Sequence, residues 1–389
     1  MENNLSVVLE EARQDDVREL ISLYSIIYGR NYPLAYGNDP DVLLSAINDK
    51  KSHLVLVARI PENDAIGGAV IVEKEVHHKI GKVVGLVVHP DFQRLKIAHQ
   101  LVSYLSHRLL EDENELNSLY ATTRTVTVGP QMVFLKNGYL PLGVFPNAHR
   151  LKRFESVTLM TRFRKGLLER RDLTVPVSMS TYKLYSALSD QLPSLAIPSY
   201  FTREKPLANS DNHDWEFEII QAPEYVMRRF KVHLESGVDF YFPFHKPNIL
   251  FSEKNGKLDI FGYFSQPDGY CVLLSATKPT VEFTGELLSF FAMADSIGIS
   301  YLEVVMNTNN ILAIENLLAC QFLPSAIYPG YREVNGKPVD YVFMSRTMEP
   351  LNFRGMSVLA PFKPYIDQYV DAWKKQNLDG LEVIHGPKS

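Results

Sequence analysis

Two stretches of this chain repeat each other without a gap at a spacing of 183 residues (residue 118 to residue 301), and this repeat constrains the fold more than any other feature. Ser118-Leu119-Tyr120-Ala121 pairs with Tyr301-Leu302-Glu303-Val304, and Gly138-Tyr139-Leu140-Pro141 with Gln321-Phe322-Leu323-Pro324. Val144-Phe145-Pro146-Asn147 then pairs with Ile327-Tyr328-Pro329-Gly330. Both stretches close on similar strand ends, Met160-Thr161-Arg162 and Met344-Ser345-Arg346, where the spacing has grown to 184 (residue 162 to residue 346). Chance supplies one such tetrapeptide. A register held over about thirty residues implies two copies of one domain rather than a short-period solenoid. The length of 389 residues agrees, being too long for one ordinary core and suited to two.

The strand and helix signals fill in the first copy. Asp15 or Asp16 can cap a helix that carries Val17, Leu20, Ile21, Tyr24 and Ile27/Tyr28 on one face. Strands are expected at Leu54–Ile60, Ala65–Glu73 and Lys82–Val88, then a helix from about Lys96, a strand Ser118–Thr125 and a helix Pro130–Asn137. Two more strands, around Leu142–Phe145 and Ser156–Arg162, complete it. The expected organisation is therefore a first domain at 1–163, a linker at 164–214, a second domain at 215–347 and a tail at 348–389. The linker should hold a helix from Tyr182 to Leu188 and then a Pro-rich loop. The tail should hold a helix, Tyr365 to Gln376, whose apolar stripe packs on the protein itself.

Within the first copy, Val83 to Val88 is an apolar strand that meets His89-Pro90 and then Asp91-Phe92-Gln93-Arg94-Leu95-Lys96. Ile97, Leu101, Val102 and Leu105 follow at helical spacing, so the segment reads strand–turn–helix. A helix N-terminus carries unpaired N–H groups and a partial positive charge, which suits a phosphate. Here the sequence resembles the GNAT acetyltransferases, whose signature runs strand, x-Pro, Gln/Arg-x-x-Gly-x-Gly/Ala, helix. Gln93-Arg94-Leu95-Lys96-Ile97-Ala98 matches at its first and last positions, and Lys96 replaces the first glycine.

The resemblance implies an α+β fold of two GNAT-like domains, each a mixed and mostly antiparallel sheet flanked by helices. It also implies acetyl-CoA as co-substrate. Leu86, Val87 and Val88 would bond the pantetheine arm, and Gln93, Arg94, Leu95, Lys96, Ile97, Ala98 and His99 would hold the pyrophosphate. The second copy is degenerate by the same measure. Ser275 to Val281 lacks the glycine pattern, Pro279 lacks an N–H, and Gln321 and Leu317 stand where the family has Gly and Tyr.

Proton handling departs from the family pattern. The strand positions that often hold a carboxylate are Val83 and Gly85, and the position that often holds a tyrosine is Phe134. Glu73, Glu75 and Thr123 are the catalytic candidates left near the turn, beside His77, His78, His89, Thr122 and Arg124. The leading expectation is an N-acetyltransferase in which an amine, small-molecule or peptide, attacks the thioester directly. The alternative is a non-catalytic tandem protein that binds CoA, a small ligand or a protein partner. A nucleotide- or sugar-phosphate binder using the same turn is a third.

Composition excludes several classes. An apolar fraction of 46% argues against disorder, and a net charge of −5 leaves no cationic surplus for a nucleic-acid backbone. Cys271 and Cys320 cannot build a disulfide framework, and no Cys/His spacing suits a metal. Met1 to Arg13 is polar, and no apolar run reaches membrane-spanning length. A cytoplasmic protein with no metal, membrane or nucleic-acid partner is expected.

Overall fold

The computed structural model describes residues 6–29, 34–150, 154–201, 216–234, 241–278 and 286–378. The first half runs β1 (Val8–Glu11), α1 (Val17–Tyr28), α2 (Pro40–Asn48), β2 (His53–Ile60), β3 (Ala65–Glu75) and β4 (Ile80–Val88). It continues with α3 (Ile97–His107), β5 (Ser118–Arg124), α4 (Gly129–Lys136), β6 (Leu140–Arg150) and β7 (Phe154–Phe163). A short parallel pair, β8 (Val177–Ser178) and β9 (Tyr200–Phe201), brackets α5 (Met179–Ser189). The second half contains β10 (Phe217–Ile220), α6 (Pro223–Leu234), β11 (Ile249–Glu253), β12 (Asp259–Ser265) and β13 (Tyr270–Ala276). It ends with α7 (Glu286–Ser296), β14 (Tyr301–Asn307), α8 (Ile311–Ala319), β15 (Leu323–Val334), β16 (Lys337–Thr347) and α9 (Lys363–Leu378).

Fourteen strands form one α+β sheet in the order β1-β2-β3-β4-β5-β7-β6-β15-β16-β14-β13-β12-β11-β10. From either outer edge inward the order is the same, β1-β2-β3-β4-β5-β7-β6 and β10-β11-β12-β13-β14-β16-β15. Each half has one parallel pair, β4–β5 and β13–β14, among antiparallel neighbours. The halves meet at β6–β15, through the bridge of Gly143 with Ala326.

Local bonding repeats at the same spacing. The Thr125 N–H and hydroxyl both donate to the Ser156 carbonyl (3.2 and 2.8 Å), as those of Thr308 do to the Asp340 carbonyl (3.0 and 3.1 Å). Arg162 donates to the Asn137 carbonyl at the end of α4, and Arg346 to the Cys320 carbonyl at the end of α8. Gly138 and Gln321, one residue on, both take positive φ (77° and 64°).

Period-2 alternation sorts the strands between two helical layers. On β2, Val55 and Val57 pack with Leu20, Leu23 and Tyr24 of α1 and Leu43 and Ile47 of α2. Leu54, Leu56 and Ala58 face the other way, toward Ile97, Leu101 and Leu105 of α3. The expected strands and helices of the first half are present. β1 and α2 were not anticipated, although Asp39-Pro40 signals α2 plainly: Asp39 accepts from the N–H groups of Asp41 (3.0 Å) and Val42 (3.3 Å), with Pro40 at the first helical position.

The helix expected in the linker is α5, capped by Ser178, and it packs against β6, β15 and α9 rather than spanning open space. Ahead of α5, buried Arg171 pairs with Asp340 of β16 at 2.6 Å. Asp340 also accepts from the Tyr185 hydroxyl of α5 and from the Gly330 N–H (2.7 Å). α9 buries Tyr365 and Tyr369, and the Tyr365 hydroxyl donates to the Pro141 carbonyl of the first half at 2.7 Å.

Candidate active site

β4 and β5 pair only over Ile80–Lys82 with Ser118–Tyr120. Past that point both strands continue, β4 to Val88 and β5 to Arg124, without pairing to each other. The gap so formed is lined on one side by Leu86 and Val88, half-buried, with Val87 buried between them. On its outer side β4 pairs β3 with one extra residue, since Val84 faces Ile71 and Val87 faces Ala69. The bulge falls at Gly85-Leu86, with Gly85 at φ +63°. A side chain there would be strained and its Cβ would sit 2.6 Å from the Tyr24 hydroxyl, which donates to the Gly85 carbonyl at 2.7 Å. A bulge of this kind turns the strand and re-aims its side chains at the gap.

Beyond β4, the chain passes through a tight 3₁₀ turn, Pro90–Leu95, so Gln93, Arg94 and Leu95 lie in a wound turn rather than an open loop. Lys96 then takes the left-handed conformation (φ 56°, ψ 28°) and α3 begins at Ile97. This is the conformation that the family's glycine would supply without strain, and Lys96 adopts it regardless. No side chain caps α3, and its first internal bond is from the Gln100 N–H to the Lys96 carbonyl (3.1 Å). The helix therefore offers no acceptor to the amides of Ile97, Ala98 and His99, and a phosphate suits that end. His99 is fixed laterally by Asn137 at the end of α4 (2.9 Å to Nδ1).

Of the three catalytic candidates, Glu75 serves the β3–β4 turn, accepting from the N–H groups of His77 (3.2 Å) and His78 (2.6 Å). Thr123 is buried with its hydroxyl 2.7 Å from that of Thr158. Glu73 remains on the face that carries α1 and α2, accepting from the Tyr36 hydroxyl (2.9 Å), which also contacts His53 Nε2 (3.1 Å). Burial and the neighbouring Glu73 push the Tyr36 phenol up, so it stays a donor. Phe134 faces Tyr139 edge-on at 4.9 Å, inside the core.

From sequence, the aromatic segment Phe240 to Pro247 of the second half reads equally as a pocket or as a core strand with a turn, and nothing in it shows that it meets this face. In the aromatic segment Phe240 to Pro247, Phe240 lies outside the described residues, and the rest crosses to the first half rather than forming a strand. Phe244 lies tilted against Tyr120 at 5.8 Å with the Lys82 ammonium 6.0 Å from its ring, and Tyr241 reaches His78 at 5.0 Å. Burial drops the His78 imidazole to about 4, with the Arg332 charge adding to the effect. His245 falls to about 3 by burial and by the Lys82 charge. The signal for Lys82 was available: it is the single charge in Ile80-Gly81-Lys82-Val83-Val84-Gly85-Leu86-Val87-Val88.

Among the described residues no cluster of His, Cys, Asp and Glu could hold a metal ion, and no helix is long and apolar enough to cross a membrane. In the second half, Pro279, Thr280 and Val281 of the turn after β13 lie outside the described residues.

Known proteins resemble part of the chain. No curated protein sequence matches the chain. Among solved structures, an acetyltransferase of the GNAT family from Streptococcus pneumoniae is 17% identical, covering 41% of this chain and 99% of its own, with a TM-score of 0.36. Spermidine N-acetyltransferase from Vibrio cholerae, in complex with CoA and spermine, is 15% identical over 41% and 97% (TM-score 0.36). Ribosomal-protein-S5-alanine acetyltransferase from Vibrio fischeri is 13% identical over 43% and 97% (TM-score 0.37). Residues 17–138 match the Acetyltransferase (GNAT) family. That segment, which holds the β4 bulge, the Lys96 turn and the start of α3, is a GNAT acetyltransferase domain.

Proposed function

We propose that the chain is an acetyl-CoA-dependent N-acetyltransferase whose working site lies in the first half, with the second half a degenerate copy of the same domain. The observation that carries this is the uncapped N-terminus of α3 beside the unpaired stretch of β4. The amides of Ile97, Ala98 and His99 would hold the pyrophosphate, with the Lys96 charge near it, and β4 from Leu86 to Val88 would receive the pantetheine arm. The acetyl thioester, when bound, supplies the electrophile. A neutral amine attacks the carbonyl carbon, the C–S bond breaks, and the amine's proton passes through water to the departing thiolate. No acyl-enzyme is required, since both cysteines lie in the other half and are buried.

Supporting the copy reading are the shared strand order, the paired threonine bonds and the paired arginine bonds. The non-catalytic alternative draws on one observation, the core position of Phe134 where the family often has a phenol. A thiol-release assay over a panel of amines, with calorimetric titration of CoA, tests both. Amine-dependent thiol release supports transfer. CoA binding without release by any amine supports the binding protein, and no CoA binding to folded protein overturns both.

A further inference from the structure

At the end of α3 away from Ile97 the chain winds into a wider turn, Arg108–Asp112, in which the Glu113 N–H bonds the Arg108 carbonyl five residues back (2.9 Å). Such π turns are rare and recur at functional sites. α7, which precedes β14 as α3 precedes β5, ends at Ser296 without one. The wide turn brings Arg108 and Glu113 to a cavity of about 80 Å³, walled also by Glu11 of β1, Lys50 after α2, His53 of β2 and Lys74 of β3. About 10–15 Å³ of such space holds one water, so the cavity admits a group of several oxygens. The eleven residues of α3, at about 1.5 Å each, put roughly 16 Å between this end and the amides at Ile97.

Hydrogen bonds in the wall are spent unevenly. Glu11 accepts at both oxygens, from Lys50 and from Arg108 (both 2.7 Å), and Glu113 accepts from Arg108 Nε (2.7 Å). Donors are left over. The guanidinium has five N–H groups, of which these bonds use two. The Lys74 ammonium has three, and gives two to the Lys50 carbonyl (2.7 Å) and Glu115 (2.8 Å). Lys74 is only 7% exposed, and buried polar groups ordinarily use their bonding capacity.

One acceptor is left over as well. Tyr36 has a single O–H and gives it to Glu73, so the contact of its oxygen with His53 Nε2 (3.1 Å) is a donation from the ring. In the neutral imidazole Nδ1 is then a bare acceptor, buried and without a hydrogen-bond partner among the described residues. Asp49, 3.7 Å from Nδ1, is itself an acceptor, its carboxyl held low by hydrogen bonds from Ser52.

We propose that this cavity binds a phosphate that still carries a proton, either free or at the end of a small monoester. Its bare oxygens take the spare N–H groups of Lys74 and Arg108, and its O–H donates to His53 Nδ1. Three cations and two carboxylates line the wall, a balance that suits one added anion. The site is independent of the acetyltransferase reading, since it needs neither CoA nor transfer.

Calorimetric titration of the full chain with phosphate and with sulfate, at matched ionic strength and with saturating CoA present or absent, tests this. Sulfate has the same tetrahedral shape but no O–H at neutral pH, so it leaves Nδ1 unpaired. Phosphate should bind at least about tenfold more tightly than sulfate, the size of one hydrogen bond, and CoA should leave that binding in place. Lys74→Met should weaken phosphate at least about tenfold, and Lys74→Arg should retain most of it. His53→Leu should bring phosphate and sulfate to equal affinity. Should Lys74→Met fail to fold, the phosphate–sulfate ratio of the wild type and of His53→Leu decides alone. Glycerol 3-phosphate binding as tightly as phosphate upholds the site as one for a monoester, and its exclusion upholds it as one for the free ion. No phosphate binding at millimolar concentration, sulfate binding equally well, or displacement of phosphate by CoA overturns the proposal.

Discussion

Gly143 and Ala326 face each other across the bridge that joins β6 to β15, and they hold the same place in the two repeats. Equivalent positions meet only on an axis of two-fold-like symmetry. A Cβ on Gly143 would collide with the Ala326 Cβ and with the Ser325 backbone oxygen, so the approach of the halves depends on a missing methyl group. Gly143→Ala should destabilise the protein by about 1–3 kcal/mol. Gly129→Ala, at a position with open space and ordinary φ, is the control and should change little. Equal melting temperatures for the two variants would show that the junction has slack.

Lys96→Gly should separate stability from cofactor binding. Relief of the left-handed strain should stabilise the fold by about 1 kcal/mol, less the extra freedom that glycine brings to the unfolded chain. Loss of the cation should weaken CoA several-fold, and more at low ionic strength. Melting curves and CoA titrations at two salt concentrations check both signs. A variant that binds CoA more tightly would show that Lys96 points away from the phosphates.

Glu303 should leave its mark on stability as a function of pH. Burial raises its carboxyl from 4.5 to about 8, so the folded state keeps a proton that the unfolded chain releases. The sign follows: the folded state loses ground as pH rises from about 4.5 to 8, by up to about 1.4 kcal/mol per pH unit. Glu303→Gln cannot ionise and should gain on the wild type between pH 5 and pH 8. A stability difference that stays flat across that range would mean that Glu303 titrates as an exposed carboxylate does.

The cysteines should be inert. Burial pushes the Cys271 thiol up, and pushes Cys320 to about 11 against a modest opposing effect of Arg346. Neither is a thiolate at neutral pH. Native protein should resist thiol-specific alkylation until it unfolds, and the Cys271→Ala, Cys320→Ala double variant should retain any thiol-release activity. Acetylated cysteine found by mass spectrometry would refute direct transfer.

The strand–turn–helix around Lys96 was legible in sequence because it is local: period-2 and period-3.6 patterns meet at His89-Pro90. The 183-residue spacing was visible in sequence because the positions it relates, such as Phe134 and Leu317, are buried in both halves and call for apolar side chains. The face that receives Phe244 was not legible, because contacts between residues 82, 120 and 244 depend on how the halves pack and leave no periodic trace. Lys96 was read only as replacing the first glycine, yet it occupies the glycine conformation, since the turn and the packed Ile97 that follows fix that angle from both sides. Glu75 and Thr123 looked available as chemical groups only because sequence does not show which hydrogen bonds already hold them.

The tail between β16 and α9 is joined to the first half by a buried side chain. Gln131 of α4 donates to the Ser357 carbonyl (2.9 Å) and accepts from the Leu359 N–H (3.0 Å), while the Ser357 N–H donates to the Thr125 carbonyl (2.6 Å) at the end of β5. A ribosome adding roughly 5–20 residues per second delivers these partners some 10–40 s after β7 has emerged. Until then the polar ends of Gln131 and the end of β5 stand open to water or to a chaperone. The N-terminal half thus cannot finish folding until nearly the whole chain has been made. A premature stop near residue 350 would damage the site more than two hundred residues upstream of it.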